Sequence, residues 1–272
     1  MKKLVFISLL TVLGLTSCVT NYYQVYEVKS SNLVQKENSL VYENNDCKIL
    51  YNLWSEKGSL QFIFENKTDK DLFLDMNQTF FIKNKAAYNY YNNRTYQTQS
   101  FASIDHGYST GNIFWSNGNF WPSQYILKIG VNNKASIGLA TGISTKESEY
   151  VCIPANSFKV FNYFNINPEF IITCDKDKDF PKKQYTLNTF NEQDSPLTFR
   201  NRISYSFDKN GSSLQQVENS FWLYSVKNYS YKDALEKVKV RRGCSSIIEN
   251  EYYFKIGGPN QFYKTYRKNA SL

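Results

Sequence analysis

Apolar positions along most of this chain recur with a period of two. In "SLQFIFEN", apolar residues recur at every second position, Leu60, Phe62 and Phe64, a strand pattern. "KILYNLW" precedes it across the turn "SEKG", and "NKTDKD" separates it from "LFLDMNQTFFIKN" and "KAAYNYY". The rhythm returns in "EYVCIP", "SFKVFNYFNI" and "EFIITC". "SPLTFRNRISYSF" and "SLQQVENSFWLYSVKNYS" flank "DKNGS", and its Asn210-Gly211 pair marks a hairpin turn. "SSIIENEYYFKIGG" and "NQFYKTYRK" read as closing strands. Period two broken by short polar turns predicts an antiparallel sandwich or barrel. The one helical pattern is "SYKDALEKV": Ser230 caps it, Asp233 lies near its positive end, and Ala234, Leu235 and Val238 form its apolar face.

Two stretches depart from this rhythm. Residues 92–148 are polar, aromatic and rich in Gly, Ser and Asn, and predict a long insertion between sandwich strands. Long loops on a rigid scaffold are where binding residues concentrate. The N-terminus differs too. Lys2 and Lys3 precede an apolar run from Leu4 to Leu15, too short to cross a hydrocarbon layer of roughly 30 Å as a helix. A basic start, a short apolar core and small residues before a break describe a secretory signal over residues 1–17. Residues 18–38 then read as a tether with some strand character, 39–228 as the sandwich with its insertion, and 229–272 as a helix and closing strands of the same domain.

Leu15-Thr16-Ser17-Cys18 resembles the lipobox of bacterial lipoproteins. The resemblance implies that Cys18 is acylated and becomes the first residue of the mature chain, and several alkyl chains anchor stably where one does not. In lipoproteins of Gram-negative bacteria an Asp beside the cysteine retains the protein in the inner membrane. In Bacteroidota, acidic clusters there direct it to the cell surface. "VTNYYQVYEVKSSN" has neither, which favours the periplasmic face of the outer membrane. The strand–turn order of residues 39–91 resembles immunoglobulin-like sandwiches of secreted bacterial proteins. With "CIPANSFKVFNYFNI" and the later strands, most of the mature chain resembles uncharacterised Bacteroidota lipoproteins, which implies a β-rich fold in the envelope and brings no activity.

Composition adds to this picture without redirecting it. The chain carries 22 Tyr and 20 Phe in 272 residues, residue types that suit a pleated, half-buried surface. Its formal charge is +8, less two once Lys2 and Lys3 leave with the signal. The basic residues form no block of five or six like charges, only alternations such as "KVKVRR" and "CDKDKDFPKK". No nucleic-acid partner is predicted. An envelope compartment permits disulfides among Cys47, Cys152, Cys174 and Cys244; four cysteines allow three connectivities, and zero, one or two bridges are all open.

Catalytic and metal patterns are weak. His106, the lone histidine, lies in "SIDHGYST" beside Asp105, Ser103 and Ser109; near neighbours in a loop rarely converge as a triad requires. Asp175, Asp177 and Asp179 open like a calcium loop, but Phe180 stands where glycine is needed and Thr186 where glutamate is needed. No cofactor is implied. The best candidate surface is the aromatic and amide cluster Tyr88, Tyr90, Tyr91, Arg94, Tyr96, Phe114, Trp115, Phe120 and Trp121. Such residues stack on sugars, anchor protein interfaces, dip into a membrane interface or pack the insertion onto the sandwich. The sequence thus predicts a non-enzymatic, lipid-anchored binding or structural protein whose partner is an envelope glycan or protein. An envelope hydrolase acting on glycan or peptide, and an assembly factor of an envelope complex, are the rival readings.

Overall fold

The structure, a computed structural model, describes residues 20–100, 141–209, 211–241 and 248–268. The chain opens with β1 (Asn21–Ser30), β2 (Val34–Lys36), β3 (Ser39–Glu43), β4 (Cys47–Tyr51) and β5 (Phe62–Asn66). Next come β6 (Leu72–Asp75), β7 (Phe80–Lys83), β8 (Ala86–Asn89), β9 (Thr95–Ser100) and β10 (Thr141–Lys146). β11 (Tyr150–Ile153), β12 (Phe158–Phe161), the single turn α1 (Lys176–Asp179) and β13 (Tyr185–Thr189) lead into the long hairpin β14 (Thr198–Ser206) and β15 (Gln215–Ser230). A second turn, α2 (Tyr231–Ala234), precedes β16 (Leu235–Arg241), β17 (Ile248–Phe254) and β18 (Gln261–Arg267).

The protein is mostly β, and all the strand pairings described are antiparallel. The larger sheet runs β11-β6-β14-β15-β1-β18, with β7, β8 and β13 attached to it. The smaller runs β12-β5-β4-β3-β2. The two sheets meet through the alternating residues that the period-two pattern predicts. Ile49 and Tyr51 from β4 and Phe62 and Phe64 from β5 face Phe199, Ile203 and Tyr205 from β14 and Val217 and Phe221 from β15, all buried in one core. Leu60, Phe62 and Phe64 are each fully enclosed. Gly211 takes the positive φ that its turn demands, 65°, and its N–H donates to the Asp208 carbonyl at 3.0 Å in the β14–β15 hairpin.

A chain of amides and phenols crosses this core. The Tyr90 hydroxyl donates to Asn201 Oδ1 at 2.9 Å. Asn201 Nδ2 donates to the Tyr51 hydroxyl at 3.0 Å, which donates on to Asn219 Oδ1 at 2.7 Å. Burial raises the pKa of Tyr51 and Tyr90 far above the phenol range, so both stay neutral donors.

Three expectations need correction. The supposed tether holds β1, which lies between β15 and β18 inside the larger sheet. Both faces of β1 are covered, so it shows no alternation: Tyr23 and Val25 pack in a second cluster on one side, while Gln24 and Tyr26 are buried on the other. The C-terminal helix stops after one turn at Ala234. Ser230 does cap it, accepting from Asp233 N–H at 3.3 Å. From Leu235 the chain is strand, because Val238 and Val240 are β-branched and β17 offers a full ladder; tertiary pairing overrides a helical pattern. "EFIITC" is no strand either. It is a strap across β1, held where the Gln24 side chain mimics a strand partner, accepting from Ile171 N–H at 2.8 Å and donating to Ile171 O at 2.9 Å.

Candidate functional site

The insertion leaves and rejoins the sandwich through β9 and β10, which among the described residues pair only with each other. Its two feet are fastened by one carboxylate. Glu147 Oε2 accepts the N–H groups of Asn92 at 2.9 Å and Arg94 at 3.0 Å. Glu147 Oε1 accepts from Arg94 Nη2 at 2.8 Å, and that nitrogen also donates to the Tyr90 carbonyl at 3.3 Å. The Glu147 N–H returns a bond to the Arg94 carbonyl at 2.8 Å. Only 6% of the Glu147 side chain is exposed. Burial pushes its pKa up, and the bonds from Arg94 and from the two backbone N–H groups outweigh that, holding the carboxyl at about 2. The clamp is therefore ionised throughout the physiological range.

Beside the clamp lies an open cleft of about 560 Å³ on the β11–β6 edge of the larger sheet. Tyr91, Phe73 and Tyr150 supply aromatic surface; Lys146, Lys209, Glu147 and Glu149 balance in charge; Cys152 lies in the wall. The Cys152 thiol is disfavoured as a nucleophile. Partial burial raises its pKa first, and the neighbouring Asp71 carboxylate, 3.8 Å from Sγ, raises it further. Cys47, enclosed in the core, is pushed up to about 12 by burial. Cys47, Cys152 and Cys174 are free thiols, and none is bridged.

The predicted surface is split by the structure. Tyr91 lines the cleft and Arg94 closes the clamp. Tyr88 is half exposed, stacked on Phe81 at 5.8 Å and outside the cleft. Tyr90 is a core residue with no exposure, edge-on to Phe164 at 4.8 Å and to Phe62 at 6.1 Å. Its place in a binding surface is withdrawn. Tyr96 belongs to β9, opposite Thr145; its side chain, together with Cys18, His106, Phe114, Trp115, Phe120, Trp121 and Cys244, lies outside the described residues.

The "DKDKDF" motif proves to be a capped turn: Asp175 accepts from Asp177 N–H at 3.0 Å and begins α1. Among the described residues no three His, Cys, Asp or Glu side chains cluster as metal ligands would. Sequence reasoning missed Glu147, whose partners lie more than fifty residues upstream and leave no local mark. It also passed over Tyr150, although "EYVCIP" was read as a strand.

No helix among the described residues is long and apolar enough to cross a membrane. Comparison with family models, with curated proteins and with solved structures finds no match to this chain.

Proposed function

We propose that this chain is a non-enzymatic, lipid-anchored envelope protein, tethered through Cys18 to the periplasmic face of the outer membrane. It presents the cleft and the insertion to another envelope component, a glycan or a protein. An immunoglobulin-like form of the sandwich is part of the same reading.

The observation that supports it most is the placement of the two functional regions along β15. At one end Ser230 pairs with Tyr22, four residues after Cys18. At the other, Gln215 pairs with Tyr205, next to Ser206, which pairs with the cleft residue Phe73. The 16 residues of β15 amount to about 50 Å of strand. An acylated N-terminus would hold that end at the bilayer, and the cleft would stand off from it. Neutral buried phenols and disfavoured thiols suit recognition more than nucleophilic chemistry.

The test is photo-crosslinking in a Gram-negative host from a reactive residue placed at Tyr150, beside the same probe placed at Lys48 on the smaller sheet. A discrete adduct at Tyr150 that Glu147→Gln diminishes, absent from Lys48, is the expected result. Identical adducts from both positions would remove the cleft from the reading.

A further inference from the structure

β16 and β17 form a two-stranded ribbon that pairs with nothing else among the described residues. It is rooted at the end of the sandwich where the chain enters. Ser230, opposite Tyr22, leads into α2 and then the ribbon, and Lys255 N–H returns to the Ala234 carbonyl at 2.9 Å. Leu235 and Phe254 at the base pack on Tyr23, Val25 and Tyr229. Phe254 lies edge-on to Tyr23 at 5.2 Å.

The ribbon is sorted by charge. Residues directly opposite in an antiparallel pair share a face, and successive residues alternate. Lys237 faces Tyr252, and Lys239 faces Asn250, so the face that packs on the sandwich at its base through Leu235 and Phe254 carries, beyond the base, two exposed cations and no acid among these four. Glu236 opposite Tyr253 and Val238 opposite Glu251 place the acids on the other face. Arg241 and Arg242 follow in the sequence. More cations gather at the same end of the sheet. Arg267 pairs with Asn21 and bonds its side chain at 3.0 Å, and Lys268 stands 5.5 Å over the Phe180 ring, which itself packs on Tyr22. The acids at this end include Asp233 in α2, close to the ribbon base, Glu56 near Tyr23, and Asp179 near Tyr266.

We infer that the basic face of this ribbon, with the Arg267–Lys268 end of β18, is a docking surface for an anionic phospholipid bilayer. The reading rests on Cys18 as the membrane anchor for its orientation, since four residues from Cys18 to Tyr22 reach at most about 14 Å. Lipid at Cys18 therefore keeps this end within range of headgroups. Each basic residue near an anionic leaflet strengthens partition about fivefold. The Glu236 and Glu251 face is repelled by the same leaflet, so the ribbon settles with one side down. The docking fixes the tilt of the body, which a lipid on a flexible link does not.

The experiment uses the chain from residue 18 with Cys18→Ser, which keeps every paired strand and carries no lipid. Its partition is measured on phosphatidylcholine vesicles with and without phosphatidylglycerol, at low and high salt. Binding is expected only with phosphatidylglycerol, falling with salt. Lys237→Gln with Lys239→Gln should lower it about twenty-fivefold. Lys48→Gln with Lys159→Gln, an equal loss of charge on the smaller sheet, should lower it far less. Equal losses in both variants, no binding to anionic vesicles, or binding to duplex DNA with none to vesicles would overturn the inference. Because this chain is unacylated, a failure of Cys18 lipidation, read separately by mass spectrometry, leaves the result standing.

Discussion

Replacing Glu147 by glutamine removes the charge that holds both feet of the insertion while nearly conserving shape. The folded carboxyl sits at about 2 against an ordinary value of 4.5, a shift equivalent to roughly 3 kcal/mol at neutral pH. Arg94 is 43% exposed, so solvent screening lowers the expected loss to about 2 kcal/mol. The sign follows from a depressed acid. The contribution is fully present above the unfolded value near 4.5 and is lost as pH falls through the folded value near 2. Urea unfolding of wild type and Glu147→Gln across this window should therefore show a gap that narrows steadily as the pH drops. Other titrating groups are shared by both proteins and cancel in the difference. Hydrogen exchange separates local release from global loss: the Asn92 and Arg94 amides donate to Glu147 and should exchange faster in the variant even where the core strands do not. A gap below about 0.5 kcal/mol at neutral pH, with unchanged protection at those two amides, would refute the clamp.

Tyr51→Phe deletes the hydroxyl that accepts from Asn201 and donates to Asn219, whose Nδ2 already lacks a protein partner. Two buried amides then lose a partner, and urea titration should show a loss of about 2–4 kcal/mol. Asn219→Ala should cost less than Tyr51→Phe if the chain is read correctly. Gly257 has φ 126°, and a Cβ there would meet the Trp54 ring at 2.6 Å; Gly257→Ala should cost about 2–4 kcal/mol, with a changed tryptophan fluorescence spectrum as the local readout. For the anchor, mass spectrometry of the full chain from a Gram-negative host should find an N-terminal peptide beginning at acylated Cys18, absent from Cys18→Ala; an unmodified N-terminus would remove the membrane from the proposed function.

The parts legible in sequence are those whose environment has two different sides. β15 has a core side and an outer side from Val217 to Leu223, where buried and half-buried residues alternate. The turn at Gly211 and the Ser230 cap are local chemistry, read from a few adjacent residues. β1 was illegible because ribbon base and strap bury both its faces, and Gln24 takes a core position only by bonding Ile171, Asn228 and Tyr26. β16 misled because "DALEKV" satisfies a helix locally while β17, more distant in sequence, supplies a better partner. At the candidate site, Tyr91 and Arg94 stood out by type. Tyr90 was misplaced because adjacent tyrosines look alike until one is enclosed, and Glu147 was invisible because its function depends on a contact made across the whole insertion.

The clamp and the core chain share one residue, and this bears on how the cleft is held. Tyr90 accepts from Arg94 through its carbonyl and donates to Asn201 through its hydroxyl. The feet of the insertion are thereby fixed to β14, and through Tyr51 to β4 in the opposite sheet. A binding surface built on a long insertion would ordinarily lose affinity to the entropy of ordering its loop. Here the ordering at the root is already made in the folded protein, by an ionised carboxylate and by a tyrosine whose hydroxyl cannot leave the core without stranding an amide. On the proposed function, such a root would hold a recognition surface in a fixed position, and the cleft would stand at the end of β15 away from the proposed lipid.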